Sequence, residues 1–409
     1  MRLFYLSNSL IPSKEANSIQ VMKMCRAFSR YCDSVVLFAR HSGEEVDDIY
    51  TYYGVDPSFE VRRIQTPKVR KVRRFLQAMK ITGQLRKEKP GFYLFGRDFY
   101  VLGIMAWLGL VKAPMSLEIH QPPTGKFQHW LQKKIFQSRH FEQLVVISEA
   151  LAKEYARLFG DLVRNKTVVA HDGADVSQLP ERLLSNPTYE QKSSAFKVGY
   201  IGSLYPGKGM GMISKLAPLM PDCEFHVVGG KPHELDFWQK DTNSENLILH
   251  GFVSPDRIYE VMEEFDVVLA PYQPKVLVGD SKVDIASWMS PLKLFEYMAG
   301  GKPIICSDLP VLMEVLHHDE NGLMAKSTDP ESWVAQIRRV KDSEKLRERL
   351  GRKAQQDFFA HYTWEKRVEH LLGITSDSST TAQPLVSDSP STNGQALSLS
   401  PDSDPHLNG

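Results

Sequence analysis

The chain is predicted to fold as two tandem α/β units, each a doubly wound parallel sheet with helices on both faces. Three observations predict it. Short apolar runs alternate with amphipathic segments along most of the 409 residues, the pattern of parallel strands joined by helical crossovers. A stretch rich in Ser, Pro, Asn, Gln and Lys, residues 177–195, divides these runs into two series. A strand running into a glycine-rich loop opens the second series, at Val198-Gly199-Tyr200-Ile201-Gly202.

The first series offers strands at Leu3–Leu6, Ser34–Phe38, Phe92–Phe95, Met115–Ile119, Gln143–Val146 and Lys166–Ala170. Polar Ser7-Asn8-Ser9 follows the first apolar run at once, so that run reads as a strand and not as a secretion signal. A helix over Ile19–Phe28 follows, with Asn17 or Ser18 as its cap. The second series offers strands at Lys197–Ile201, Glu224–Val228, Leu247–His250, Val267–Ala270, Pro303–Cys306 and near Gly322–Ala325. Beyond Asp329-Pro330 the pattern is helical, with Trp333, Ile337 and Val340 on one face, and Thr363 is placed to cap a last helix bearing Trp364, Val368, Leu371 and Leu372. From Gly373 onward there is no Lys or Arg, and thirteen of 37 residues are Ser or Thr, a composition that buries no core. The expected organisation is therefore a first Rossmann-like unit over residues 1–185 and a second over 186–350. Helices over 351–372 and a disordered tail over 373–409 complete it.

Composition narrows the class. Apolar content of 42% and charged content of 24% are those of a globular protein. The longest apolar run, Val101 to Val111, is too short to span a bilayer and suits a core segment. The four cysteines have no CxxC or metal-like spacing, which points to a reducing, cytoplasmic compartment. The net charge of +1 hides a division: residues 1–185 hold 28 Lys+Arg against 18 Asp+Glu, a balance of +10, and the remainder holds 22 against 31, or −9. A basic first unit favours an anionic partner.

The segment from Ser290 to Ile305 carries most of the functional signal. Ser290 is placed to cap a helix whose first turn holds Pro291, and Lys293 adds charge beside exposed backbone donors, the makings of an anion site. Glu296 lies one to two turns further in, within reach of paired hydroxyls. Gly300-Gly301 end the helix. This run, Ser290-Pro291-Leu292-Lys293-Leu294 through Glu296 to Gly300-Gly301-Lys302-Pro303, resembles the donor-binding signature of the family 4 retaining glycosyltransferases.

The resemblance implies the GT-B fold, two Rossmann-like domains closing over a nucleotide sugar. It implies that Glu296 binds the ribose and that the helix start, with Ser290, Pro291, Leu292, Lys293 and Leu294, binds the diphosphate. It also implies a retaining, metal-independent transfer with no cofactor beyond the nucleoside-diphosphate sugar, to a glycan or lipid-linked acceptor. Two positions depart from the pattern. Trp288 stands where the family often has a second glutamate, with Asp284 the nearest upstream acid, and Ser203 stands where an arginine follows the glycine of the first phosphate loop.

That loop, Gly202-Ser203-Leu204-Tyr205-Pro206-Gly207-Lys208-Gly209, has the glycine and lysine spacing of a Walker motif, but Gly209 replaces the required Ser or Thr. A nucleoside triphosphatase is thereby disfavoured, and Gly202, Ser203 and Lys208 are assigned to the donor. A nicotinamide dehydrogenase is disfavoured because residues 1–42 contain no glycine. On the first unit the resemblance points to His120, at a strand end, as the group near the reacting centre. Asn17, Ser18, Ser148 and Asp172 are read as cleft-loop residues, each of which also suits a routine cap or turn. Metal ligands are not expected, since the only DxD, Asp402-Ser403-Asp404, lies in the tail. Lys68 to Lys89 holds nine Lys or Arg interleaved with apolar residues, suited to an anionic membrane surface, peripherally at the inner face of the plasma membrane. Lys126–Phe141 extends that surface. No recognition motif for nucleic acid accompanies the charge. A sugar-nucleotide epimerase or phosphorylase of the same fold, and a catalytically silent nucleotide-sugar-binding protein, are the alternative readings.

Overall fold

Alternation of side chains across each strand builds both sheets. In the computed structural model, residues 1–65, 70–177, 179–185, 189, 195–242, 244–254, 257–277 and 283–374 are described. The first sheet contains β1 (Arg2–Ile11), β2 (Ser34–His41), β3 (Glu60–Ile64), β4 (Phe92–Gly96), β5 (Met115–Ile119), β6 (Phe141–Val146) and β7 (Thr167–Val169), in the order β3-β2-β1-β4-β5-β6-β7. The second contains β8 (Phe196–Ile201), β9 (Cys223–Val228), β10 (Leu247–Gly251), β11 (Val267–Ala270), β12 (Ile304–Ser307) and β13 (Leu323–Ala325), in the order β10-β9-β8-β11-β12-β13. The pairings are parallel throughout, from Arg2 opposite Ser34 to Ser307 opposite Ala325. In β1, Phe4 and Leu6 enter one core while Leu3 and Tyr5 enter the core on the opposite face. In β11, Val268 and Ala270 face one core and Val267 and Leu269 the other. Burial on both faces gives these strands their continuous apolar runs.

Four expectations need correction. β1 continues through Ser7-Asn8-Ser9 to Ile11, because Ser7 Oγ donates to Ser9 Oγ at 2.9 Å and Ser9 Oγ donates to the Asn17 carbonyl at 3.3 Å, which satisfies buried hydroxyls. β3 escapes a search for apolar runs because it is an edge strand, with Arg62 paired to Glu60 and Glu88. The first helix is Ala16–Ser29 with Glu15 at its cap position, so Asn17 and Ser18 lie inside its first turn, and Ser18 Oγ donates to the Leu10 carbonyl. Gly373 belongs to the last helix as its left-handed cap (φ 66°), and the tail from 375 lies outside the described residues. Nine of the nineteen residues of 177–195 also lie outside them, but Leu179 and Leu183 are buried in the core of the second unit.

The last helix, Trp364–Leu372, packs on the first sheet. Thr363 caps it, and Trp364, Val368 and Leu371 join the core of Leu3, Tyr5 and Phe28. Its buried Arg367 donates to the carbonyls of His171 (2.9 Å) and Ala170 (3.2 Å) and to Glu118 Oε2 (3.2 Å) on β5. Gln20 donates to Glu118 Oε1 and Asp172 Oδ1, both at 2.9 Å. At Gly173 a Cβ would stand 2.4 Å from the Tyr362 carbonyl oxygen, so the return segment passes where no side chain fits.

Burial alone would raise the Glu118 pKa, but Arg367 first, then His120 and Arg97, hold it well below the usual carboxylate range. Replacing Arg367 with Met strands a buried carboxylate and is expected to cost about 3–5 kcal/mol. The double variant E118Q/R367M should recover most of that loss. Urea midpoints measure both, and equal stability of R367M and wild type would show that the pair does not anchor the helix.

Candidate functional site

The two units face each other across a cavity of about 880 Å³. Lys23, Tyr53 and Asp175 line it from the first unit, and Gly202, Lys293 and Glu296 from the second. The second wall lies at the C-terminal ends of β8 and β9, where parallel sheets present exposed loops. Gly202 (φ 152°) and Gly229 (φ 115°) end those strands in left-handed backbone, and a Cβ on Gly229 would stand 2.1 Å from the Gly202 carbonyl oxygen. Only bare backbone permits the two loops to meet.

The helix Leu292–Ala299 supplies the charge. Tyr297 fixes it to β8, its hydroxyl accepting from Ile201 N at 2.8 Å and donating to the Ile201 carbonyl at 3.2 Å. Lys293 Nζ stands 3.7 Å from the centroid of the Tyr200 ring and has no hydrogen-bond partner among the described residues. A Cβ on Gly202 would lie 2.6 Å from that Nζ, so the ammonium rests on the glycine. Lys208 Nζ lies 5.3 Å from the Tyr272 ring and Lys293 Nζ 5.2 Å from it, which puts two ammoniums against one ring. Burial, then repulsion from Lys208, pushes Lys293 well below the ordinary lysine value, and burial also lowers Lys208. Glu296 lies one turn further along the helix. Burial raises its pKa against the pull of Lys293, and no hydrogen bond reaches its carboxylate among the described residues. Unpaired ammoniums beside open backbone form a receptor for a polyanion, and a free carboxylate beside them accepts hydroxyls.

Other predicted residues are placed differently. Ser290 does not cap this helix: its Oγ accepts from Asp172 N at 2.8 Å across the units, and Pro291 takes the cap position without a side-chain bond. Leu294 points into the core, and Leu292 lines the cavity. Ser203 is exposed, with its carbonyl accepting from the Tyr200 hydroxyl. Ser148 caps the helix Glu149–Phe159 and donates to the Trp288 carbonyl at 3.2 Å. Trp288 packs against the first unit's core, so that position is a spacer between the units. Asp284 shapes its own loop, accepting from Val276 N and Ala286 N. Glu314 Oε2 and Oε1 cap the first-unit helix from across the cleft, accepting from Glu149 N (2.8 Å) and Ala150 N (3.0 Å), and Oε2 meets His171 Nε2 at 3.0 Å.

His120 follows β5 and belongs to the Arg367 network, not to the lysine pair. Its Nε2 lies 2.6 Å from Glu118 Oε1 and accepts from Arg97 Nε at 3.3 Å, and its Nδ1 lies 3.3 Å from Arg97 Nη2, so Glu118 and Arg97 hold both ring nitrogens. Burial, then Arg97, lowers its pKa against the pull of Glu118, which favours a neutral ring. Glu118, His120 and Asp172 bring three metal-competent atoms within 4.8 Å of one another. Arg97, Arg367 and Gln20 already occupy them, and two guanidiniums balance two carboxylates, so the donor set does not suit a cation.

Lys231 is the wall residue that sequence reading missed. It lines the cavity with its Nζ 5.3 Å from the Tyr205 ring. Its signal was available, since β9 runs into Gly229-Gly230-Lys231 much as β8 runs into Gly202 and Lys208.

Residues 187–357, most of the second unit, match the family model of glycosyl transferases group 1. The chain is 22% identical over 253 residues to an uncharacterized glycosyltransferase of Methanocaldococcus jannaschii, covering 57% of this chain and 59% of that protein. It is 32% identical over 114 residues to a putative teichuronic acid biosynthesis glycosyltransferase, TuaH, of Bacillus subtilis, covering 28% and 27%. The chain spans between 27% and 59% of the length of the curated relatives it matches. Among solved structures, Anabaena HepE in complex with UDP superposes with a TM-score of 0.66 at 15% identity, covering 91% of this chain and all of that one. Sucrose-phosphate synthase from Thermosynechococcus elongatus gives 0.68 at 15%, covering 91% and 98%. The fold is GT-B.

Lys293 carries a pH signature. As pH rises, the folded protein releases the Lys293 proton first, while the unfolded chain keeps it up to the ordinary lysine value of 10.5. In that window the unfolded state binds more protons, so stability increases with pH. The stability of wild type relative to Lys293→Met should therefore rise between neutral and alkaline pH in ligand-free protein. Paired denaturant melts measure the difference, and a flat one would mean that Lys293 titrates normally.

Proposed function

We propose that the protein transfers a sugar from a nucleoside-diphosphate sugar to a glycan or lipid-linked acceptor, with retention of configuration and without a metal. One observation carries the reading: buried Lys293 and half-buried Lys208, neither with a hydrogen-bond or ion-pair partner among the described residues, stand against one tyrosine ring, and Lys293 faces the glycine-lined cavity beside a free carboxylate. Such a site fits a diphosphate with its ribose. UDP, the ligand in the HepE complex, is the first diphosphate to test.

In this mechanism the acceptor hydroxyl attacks the anomeric carbon on the face from which the diphosphate departs. The new C–O bond forms as the carbon–phosphate-oxygen bond breaks, its electron pair goes to the leaving oxygen, and that oxygen takes the acceptor proton. Lys208 and Lys293, fixed and poorly solvated, stabilise the departing charge. They supply the positive charge that a metal provides elsewhere. Glu296 holds the ribose. His120, neutral and bound on both ring nitrogens, acts on the acceptor side by keeping the Arg97 and Glu118 arrangement in place.

The first unit is proposed to rest on an anionic membrane. Support comes from Val72, Phe75 and Leu76, exposed on the basic helix Arg70–Leu85, and from Trp107, Leu108 and Phe127 exposed on or beside the neighbouring helices. Residues 68 and 69 of the basic stretch lie outside the described residues. Among the described residues no helix is long and apolar enough to cross a membrane.

Lys208→Ala and Glu296→Ala should each weaken UDP binding by about tenfold or more, ~1.4 kcal/mol, with the melting temperature of the free protein kept within a few degrees. Transfer should persist in excess chelator. Wild-type affinity in both variants would remove the donor assignment, and a loss restored by Mg²⁺ would remove the metal-free mechanism. UDP binding with no turnover of any donor would favour a binding protein.

The membrane reading has its own test. Phe75→Gln with Leu76→Gln and Phe127→Gln should reduce cosedimentation with phosphatidylglycerol vesicles, and wild-type binding should fall as salt rises. A wild-type protein that ignores such vesicles at low salt has a soluble acceptor.

A further inference from the structure

We propose that the first unit holds an oxyanion site of its own, built from Arg40, Arg73 and Arg74, that receives a phosphate-class group on the acceptor. Its identification with the acceptor rests on the transfer reading above; the anion site itself does not.

The site follows from the sheet. Asn8 lies on β1, Arg40 ends β2 but for one residue, and Asp98 follows β4, so the cluster crowns the C-terminal ends of three adjacent strands. The helix Arg70–Leu85 lays Arg73 and Arg74 over that edge. Arg74 Nη1 pairs with Asp98 Oδ2 at 2.8 Å and also donates to Asn8 Oδ1, which Arg40 Nη1 shares at 3.4 Å. Asp98 is otherwise engaged, since its other oxygen caps the helix Phe99–Trp107 through Tyr100 N and Val101 N. Three guanidiniums therefore meet one carboxylate, an excess of two positive charges. Arg73 has no hydrogen bond or ion pair among the described residues, and the Nε atoms of Arg73 and Arg40 are buried without partners. Burial first, and then Arg73 and Arg74, lowers the Arg40 pKa, which places the three charges within mutual influence. Gln77, one turn beyond Arg73 and 1% exposed, has both amide atoms unpartnered.

Buried donors without partners and uncompensated like charges are unfavourable, and among the described residues only the Tyr100 ring, 5.0 Å from the Arg74 guanidinium, offers the cluster a further contact. An oxyanion would satisfy both. Guanidinium forks match the oxygens of a phosphate better than they match hydroxyls, which sets the ligand class. The site is also correctly placed for an acceptor. Arg97, the residue before Asp98, holds His120 and donates to the Asn17 carbonyl at 2.9 Å. A molecule anchored by its phosphate at the arginines would extend toward that network and the cleft.

Titration of the full chain with inorganic phosphate tests this. K208A, impaired at the donor lysines, should still bind one phosphate per chain. R73Q should bind it about tenfold more weakly, the loss of one charge-assisted contact, while its UDP affinity stays that of wild type. Without phosphate, R73Q should melt higher than wild type, because it relieves repulsion, and phosphate should no longer raise its melting temperature. R40Q provides the same comparison from the strand side if R73Q folds poorly. Phosphate affinity unchanged in both arginine variants overturns the site, as does a fall in the phosphate-free melting temperature of both, which would make the guanidiniums structural. Phosphate binding at the arginines in a protein that does not bind UDP would keep this site and remove the donor reading. Vesicles separate the two sources of the group: R73Q loses phosphatidylglycerol binding if the phosphate belongs to a lipid headgroup, and keeps it if the phosphate belongs to a soluble ester.

Discussion

The helix that returns from the second unit is held on the first sheet by Arg367. The last helix is the end of the second unit in sequence, yet its guanidinium reaches Glu118 on β5 and the carbonyls after β7. That bond set ties the two units through a single buried cation. Buried pairs of this kind add little net stability compared with apolar packing, but breaking one is costly, so they specify geometry more than they strengthen it. Gly173 and Ala174, held beside the Tyr362 carbonyl by the same return segment, line the cavity as a consequence.

Charge balance separates the roles of the three polar clusters. Around Glu118 the carboxylates and guanidiniums cancel and nearly every lone pair is used. Around Lys293 and around Arg73 they do not cancel. A folded chain tolerates uncompensated buried charge only where something else supplies the counter-charge, and function is the usual reason. The first cluster is therefore balanced by itself, and it contains the histidine that sequence reading put nearest the chemistry.

Much of this was legible in the sequence, for a physical reason. Strands buried on both faces leave apolar runs, and the interior strands of both sheets were found within a few residues. β3 was missed because an edge strand is half polar, and the end of β1 because buried serines that bond one another look like a loop. Helix starts were the weakest reading. Ser290, Asn17 and Ser18 are good caps in isolation, but Ser290 Oγ takes the Asp172 N–H instead and Glu15 takes the first helix's cap position. Lys208, Lys293 and Glu296 were found because their loop and helix carry local patterns. Arg367, Arg97 and Gln20 have no local pattern, and their partners lie up to 249 residues away.

Glu314 gives the cleft a property that its shape does not. Its carboxylate terminates a helix belonging to the opposite unit and meets His171 in the same place. A rotation that separated Glu314 from this helix would strip two backbone N–H groups of their acceptor at once, at a helix start where Ser148 already accepts from Leu151 N. A contact of this kind gives way in discrete bonds, as a latch does, and not by graded strain, as a spring does.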